Sequence, residues 1–484
     1  MKKLNRREFL AASALGTAGL VAGSGARAAS TAGPNILFIM TDQQSAAMLS
    51  CAGNPNLQTP AMDRLAASGV RFERAYATNP VCVPSRFSLQ TGLMPSAIGM
   101  NQNEDTDSAA VTEDMIRNSL GNVLRNAGYE TVFGGKTHFP KRMRDLREIG
   151  YRNLTGDSRE GLARACAEFI KGRARAAHDR PFFLFASFIN PHDICYMAIN
   201  AHARAHGGQN TGNLDSRTCE QVLDKARASG DLHEFVQRNC PPLPPNHNVP
   251  QNEPEGITLD YTEVRPFRSW VRQNWTEDDW RLHRWAYCRL TEMVDREIGI
   301  VLAGLTAAGL EDNTLIVFTS DHGDHDSAHK LEHKSILYEE AVRIPFIMNW
   351  KGRIEAGGID DVHLVSNGLD LLPTLCDYAG IDVPAGRPGS SVRPLAERKD
   401  VPWRRHMVVE SQNARMIRSD RFKYCVYESG RNRDQFTDLK NDPGEMNNVA
   451  GNVEFEAELK RHRGLLAEWV DTTGDAIGAG YIVK

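Results

Sequence analysis

Hydrophobic positions along the chain gather in short continuous runs. Residues 35–40 form one, ending at Thr41-Asp42. Residues 182–188 form a second, ending at Asn190-Pro191-His192. Residues 315–318 form a third, ending at Ser320-Asp321-His322, and a shorter strand pattern at 130–133 closes on Gly134-Gly135-Lys136. Runs of this length without alternation read as strands buried on both faces. Residues 62–67, 115–127 and 292–308 space their apolar residues as helices do. Strands alternating with helices predict an α/β sheet covered on both faces. Ligands of such sheets sit beyond the carboxyl ends of the strands. Four strand ends here carry Asp42, Lys136, His192 and Asp321-His322.

From about residue 395 the pattern changes. Residues 407–410, 414–417 and 423–427 read as antiparallel strands, and 455–470 as a helix. They predict a smaller α+β domain over 395–484, after a catalytic domain over 34–394. Residues 196–275 show no clear period, and six prolines between Cys240 and Glu255 make a stiff, extended loop. This stretch reads either as an insertion lining a substrate cleft or as a surface excursion.

Residues 1–28 stand apart. Arg6-Arg7, a weakly apolar run and Ala26-Arg27-Ala28 follow in the order of a twin-arginine export signal. Gly16, Gly19, Gly23 and Gly25 disfavour the alternative, an amphipathic helix. Export through the twin-arginine machinery would leave the mature chain periplasmic or secreted. No apolar stretch is long enough to span a bilayer, so no membrane is expected as a partner of the mature form. Removing the segment leaves 52 basic and 60 acidic side chains, net −8. Such a surface does not steer polyanions, which argues against nucleic acid and requires any anionic substrate to find a local positive pocket. Nine cysteines without a CxxC pair argue against structural zinc or a dithiol redox motif.

The sharpest chemistry lies at Cys82-Val83-Pro84-Ser85-Arg86, followed by Thr91-Gly92. It resembles the signature C-x-P-S-R-x-x-x-x-T-G of formylglycine-dependent sulfatases in the alkaline-phosphatase superfamily. Residues 59–63, 69–72, 369–374 and 438–445 extend the resemblance across the mature chain, most loosely at 196–275. It implies a large mixed, mostly parallel sheet sandwiched by helices, with a smaller C-terminal antiparallel-sheet subdomain. It also implies that a formylglycine-generating enzyme oxidises Cys82 to 3-oxoalanine. One hydroxyl of the hydrated aldehyde then attacks sulfur, and the other expels sulfate, so one hard step becomes two.

Two carboxylates at two strand ends suit a hard divalent cation. By resemblance the ligands are Asp42, Gln43, Cys82 as the hydrated aldehyde, Asp321 and His322. Ca²⁺ is the expected ion, with Mn²⁺ or Mg²⁺ as alternatives. Many sulfatases carry Asp-Asp where this chain has Asp42-Gln43, and Asn where it has His322; one charge fewer and an imidazole make Mn²⁺ more compatible. Gly135-Lys136-Thr137-His138, Pro191-His192 and Lys334 before Tyr338-Glu339-Glu340 resemble the family's G-K-x-H, P-H and lysine-before-Y-E-E. The resemblance assigns Lys136, His192 and Lys334 to the sulfate oxygens, with His192 or Lys334 assisting the leaving alkoxide. It assigns His138 to collapse of the intermediate, Asp321 as base on the diol, and Arg86 to holding the aldehyde hydrate. His322, His325, His329 and His333 recur at spacings of three and four. A substrate-lining loop is their preferred reading and a second metal site the alternative.

The expected activity is hydrolysis of a sulfate ester, on a sulfated saccharide or a sulfated small molecule. A phosphonate monoester or phosphodiester hydrolase of the same superfamily is the runner-up, since Cys82 and Gln43 fit it too. A non-catalytic sulfated-glycan binder is the alternative outside enzymes.

Overall fold

The computed structural model describes residues 33–176, 180–259 and 265–483; the export signal read at 1–28 lies outside them. Fourteen strands occur among the described residues: β1 (Asn35–Asp42), β2 (Val70–Phe72), β3 (Ala75–Tyr76), β4 (Glu130–Gly135), β5 (Arg152–Thr155), β6 (Phe182–Pro191), β7 (Thr314–Ser320), β8 (Phe346–Asn349), β9 (Gly358–Asp360), β10 (Val365–Ser366), β11 (His406–Glu410), β12 (Ala414–Ser419), β13 (Phe422–Tyr427) and β14 (Asp434–Asp438). Eight build the main sheet in the order β5-β4-β6-β1-β7-β8-β2-β9. Only β8 runs against its neighbours; every other pairing is parallel. The expected mixed, mostly parallel sheet is therefore present.

β1 lies at its centre, with Ile36 opposite Phe183 of β6 and Leu315 of β7. All eight of its residues are buried, which is why the run lacks polar alternation. Ile36, Phe38 and Met40 point into a core shared with the helices Cys82–Thr91 and Asn367–Ala379. Leu37 and Ile39 point to the other face, against the helices Pro60–Ala67, Glu160–Arg175 and Glu277–Ala307. We call Pro60–Ala67 α1 and Cys82–Thr91 α2.

The small sheet is a meander, β11-β12-β13-β14, whose fourth strand the hydrophobic pattern did not reveal. Its two faces do different work. Val408, Ile417, Tyr424 and Phe436 pack on the C-terminal helix Glu456–Thr473. Met407, Val409, Met416 and Cys425 pack on Leu331, Ile336, Leu337 and Tyr338, the loop that carries Lys334.

Three expectations need correction. The helix read at 115–127 is two, Glu113–Arg117 and Leu120–Asn126, broken at extended Ser119, whose Oγ donates to Ile149 O. The helix read at 292–308 is the second half of a 31-residue helix, Glu277–Ala307. The stretch 196–275 is largely helical, with Cys195–Ala205, Leu214–Arg227, Leu232–Asn239 and Pro266–Asn274. Cys219, Val222, Leu223 and Val236 from it pack against Trp285, Tyr287 and Leu290 of the long helix. No described helix is long and apolar enough to cross a membrane. All nine cysteines are free thiols.

Candidate active site

Cys82 is the first residue of α2, where unpaired helix N–H groups concentrate positive charge. Asn103 Oδ1 accepts the next N–H, that of Val83, at 3.0 Å. Pro84 falls in the first turn, where a missing N–H costs nothing. Ser85 Oγ donates to the carbonyl of Asp321 at 2.6 Å, fastening the helix to the end of β7. One turn after Cys82, the fully buried Arg86 points the same way. It donates through Nη2 to Asp42 Oδ2 at 2.7 Å and through Nε to Asp321 Oδ2 at 2.8 Å. Its Nη1 reaches Lys136 O at 2.7 Å and Ser187 Oγ at 2.9 Å. A single guanidinium thus ties the ends of β1, β4, β6 and β7 together.

The ligand atoms of Asp42, Cys82, Asp321 and His322 all lie within 4.8 Å of one another. Cys82 Sγ is 3.7 Å from Asp42 Oδ1 and 3.1 Å from His322 Nε2. His322 Nδ1 lies 2.9 Å from Gly323 O, which leaves Nε2 facing the thiol. Two carboxylates, an imidazole and the atom at position 82 form a donor set that fits a divalent cation. Gln43 stands outside it. Its Nε2 donates to Asp324 Oδ2 at 2.7 Å, and its Oε1 accepts from Lys334 Nζ at 2.7 Å and Cys195 Sγ at 3.1 Å.

Lys334 Nζ also lies 3.2 Å from Cys82 Sγ, and Lys136 Nζ lies 4.0 Å from the same sulfur and 2.7 Å from Asp42 Oδ2. Lys136 owes its place to Gly135. The glycine has φ of +96°, and a Cβ there would stand 2.0 Å from Ser187 O. Lys136, His138 and His192 are half-buried, whereas Asp42, Cys82, Asp321 and His322 are sealed, so approach to the thiol is from the Lys136–His192 side. His138 Nδ1 and His192 Nδ1 are buried with no hydrogen-bond partner among the described residues. His138 makes no hydrogen bond to the cluster.

The charges polarise one another. Burial opposes the charged form of Asp42, but Lys136, His192, Arg86 and Lys334 outweigh it and hold the carboxyl well below the usual range. Burial and the Asp42 charge push Asp321 up. Burial and Asp42 work against a Cys82 thiolate, yet Lys136, Lys334 and His322 prevail and lower the thiol well below its ordinary value. Burial, reinforced by Lys136, lowers His192 well below an ordinary histidine, so its ring is neutral near pH 7. Lys334 is raised: burial disfavours its charge, but Cys82, Cys195, Asp42 and Asp321 more than compensate.

The remaining histidines of the 322–333 series do not share a helix face. They lie on an irregular loop, and His325, His329 and His333 are all buried. His329 stacks on Tyr338 at 3.7 Å, and His333 packs against Phe267 at 5.2 Å. None of these three belongs to a described group with metal-ligand geometry. Sequence reasoning missed Cys195, Asp324, Ser187 and Tyr287, whose hydroxyl donates to Gln43 O at 2.6 Å. Tyr287 and Ser187 meet the site across 244 and 101 residues of chain, whereas Asp324 and Cys195 stand two and three residues after His322 and His192, and only their contacts to Gln43 show what they do.

A family model described as Sulfatase matches residues 34–381, and one described as N-sulphoglucosamine sulphohydrolase, C-terminal, matches residues 327–468. The chain belongs to the sulfatase family. As a sulfatase it is a sulfuric ester hydrolase. It is 30% identical over 475 residues to a Delta 4,5-hexuronate-2-O-sulfatase of Bacteroides thetaiotaomicron, covering 93% of this chain and 92% of that one. It is 25% identical to an N-acetylglucosamine-6-O-sulfatase of the same organism, covering 90% and 86%. Among solved structures, a 2-O GAG sulfatase superposes with a TM-score of 0.74 at 26% identity, covering 92% of this sulfatase and 93% of that chain. A phosphonate monoester hydrolase of Agrobacterium radiobacter, at 20% identity and a TM-score of 0.70, shares the fold.

Proposed function

We propose that this sulfatase removes sulfate from a sulfated saccharide after Cys82 is converted to formylglycine, and that a divalent cation completes the site. The observation that carries this reading is Cys82 itself: a buried thiol at a helix start, touched by Lys334, His322 and Asp42, within a C-x-P-S-R motif. Its Sγ stands where an oxygen of the hydrated aldehyde would lie. That hydrate would supply one hydroxyl to attack sulfur, breaking the bond to the departing alcohol, and a second whose oxygen re-forms the aldehyde as sulfate leaves. Asp42, Asp321, His322 and position 82 would hold the cation, which would supply positive charge for the sulfate oxygens. Calcium suits the carboxylates, and manganese would better accept His322.

The chain's own residues do the rest. Lys136 and Lys334, fixed before substrate arrives, receive the charge spread over the sulfate oxygens. Neutral His192 holds a sulfate oxygen through its exposed edge, and Lys334 gives a proton to the leaving alkoxide. Asp321, pushed up by burial and by Asp42, takes the proton from the attacking hydroxyl, with His138 assisting the collapse. Arg86, saturated by two carboxylates, positions both metal-binding carboxylates and thereby the residue at 82. The relatives' saccharide substrates support the choice of a sulfated sugar. The arginine pair at 6–7 supports export through the twin-arginine route to the periplasm.

Mass spectrometry of the peptide containing residue 82, from protein made in its own host, tests the modification. Conversion replaces one sulfur by one oxygen and removes two hydrogens; a fully unmodified thiol overturns the mechanism. Gln43 in place of a second carboxylate keeps one rival open, hydrolysis of phosphonate monoesters. A preference of 10²-fold or more in kcat/KM for an aryl phosphonate over an aryl sulfate, about 2.7 kcal/mol in barrier, would favour it.

A further inference from the structure

Beside the catalytic cluster is an ion pair that the proposed reaction does not use. Arg265 Nη2 lies 2.5 Å from Glu104 Oε1, with the two side chains 34% and 50% exposed. Asn103, next to Glu104, caps Val83 N–H, so Glu104 stands beside the helix start that carries Cys82. Arg265 immediately precedes the helix Pro266–Asn274, and Arg268, one turn on, donates to the carbonyl of Lys334 at 3.1 Å. The pair therefore bridges the two walls whose side chains meet at Cys82 and Lys334. On the same turn, Phe267 packs against His333, the residue before Lys334. Burial works against the Glu104 charge, but the hydrogen bond from Arg265 and the nearby Arg268 keep the carboxyl below its usual range.

We infer that Glu104 holds the place of an acidic substituent of the substrate, and that Arg265, backed by Arg268, is a subsite for a second anionic group on the alcohol side of the scissile ester. The inference rests on the reading that the chain cleaves sulfated saccharides. A half-exposed ion pair contributes little to stability, about 0–1 kcal/mol, so holding the fold is a weak reason for it. A guanidinium fork receives a carboxylate or a sulfate by the same paired N–H donation. The full chain carries net −4, so its overall field does not draw anions, and Arg265 with Arg268 on the next turn places guanidinium groups locally beside the Lys334 carbonyl. A substrate with one charge leaves the pair closed. A substrate with a suitably placed second charge takes Arg265 from Glu104.

The test compares three disaccharides that share one sulfate ester: one otherwise neutral, one with a uronate carboxylate, and one with a second sulfate. For each, kcat/KM is measured in wild type, Arg265→Ala and Glu104→Gln. Arg265→Ala is expected to lower the dianion-to-monoanion ratio by about 10–100-fold, the value of a charge-assisted hydrogen bond of about 1.5–3 kcal/mol. Glu104→Gln is expected to raise that ratio, because it removes the internal competitor. The carboxylate and second-sulfate arms show which anion the subsite prefers. A tether that only holds the fold would make both variants weaken all three substrates together, and an unchanged ratio overturns the inference. If wild type turns over no sulfate ester, the functional reading fails on its own. The subsite is then tested by equilibrium binding of the same disaccharides to Cys82→Ala protein. Arg265→Ala must still weaken dianion binding and Glu104→Gln strengthen it; no difference overturns the subsite.

Discussion

Each side chain around Cys82 holds several others, so single substitutions should separate by role. Cys82→Ala removes the nucleophile and should lower kcat by about 10⁵-fold or more. Thermal unfolding should show the fold retained, because a small buried thiol contributes little packing. Lys334→Ala and His192→Ala each remove one preset donor and should cost about 10²–10³-fold in kcat. Activity of Cys82→Ala near wild type would end the covalent mechanism. A chelator should abolish turnover, and Ca²⁺ or Mn²⁺ added back should restore it; full activity in the apo protein would remove the cation from the site. A motif or a strand end marks Cys82, Arg86, Lys136, His192, Asp321 and Lys334 as candidates in the sequence. Gln43 was legible as a departure from the family pattern but not in its contacts. Only the fold shows that its amide spans Asp324 and Lys334 rather than turning into the group of Asp42, Asp321 and His322.

Among the elements, the end of β4 is the least tolerant. Gly135 combines a left-handed φ with a Cβ position 2.0 Å from Ser187 O, so the strand must shift if any side chain is added. Gly135→Ala should destabilise by about 2 kcal/mol or more, read by denaturant unfolding, and should lower kcat by displacing Lys136. Unchanged stability would show that the backbone relaxes there without cost. The strands of the main sheet were readable because burial on both faces leaves a continuous apolar run. The helices of 196–275 were not, because their buried faces are narrow. Leu214–Arg227 carries Cys219, Val222, Leu223 and Ala226 on one stripe and charged residues elsewhere. Short strands such as β2, β3 and β9 take their identity from neighbours rather than from their own pattern.

Across the whole molecule, the small sheet is joined to the active-site loop by buried charge. Lys423 Nζ on β13 sits 2.6 Å from Glu445 Oε1 and 3.3 Å from Glu339 Oε1. Glu445 Oε2 accepts the N–H of Glu339, and Tyr76 donates to the Glu339 carboxylate. Lys423→Met leaves buried Glu445 without its cation, while Glu339 keeps Arg418 and Arg343 at 3.7 and 3.8 Å, and should cost about 3 kcal/mol in urea unfolding. A cost below 1 kcal/mol would show that the Glu445 carboxylate finds a proton or water instead.

The long helix supplies a pH test. Glu297 is 6% exposed, and burial, aided by Asp157 and Asp193 against Arg159, pushes its carboxyl up to about 8. The folded state therefore keeps a proton that the unfolded chain releases above about 4.5. Wild type loses that contribution as pH rises from about 4.5 to about 8, whereas Glu297→Gln has nothing to titrate. The variant's advantage should grow through that window to roughly 1–3 kcal/mol, seen as a rising difference in Tm. A pH-independent difference would show that the carboxyl is hydrated.

From its residue order alone, this chain determined the alternation of buried strands and helices, the strand-end placement of Asp42, Lys136, His192 and Asp321, and the motif around Cys82. These are local matters of side-chain type and spacing. The tertiary structure decided what no local pattern encodes. It brought four strand ends onto one guanidinium and turned Gln43 toward Lys334. It packed the small sheet on the Lys334 loop and set Glu104 against Arg265. Each of these contacts joins segments tens to hundreds of residues apart, and its geometry exists only once the sheet has chosen its strand order.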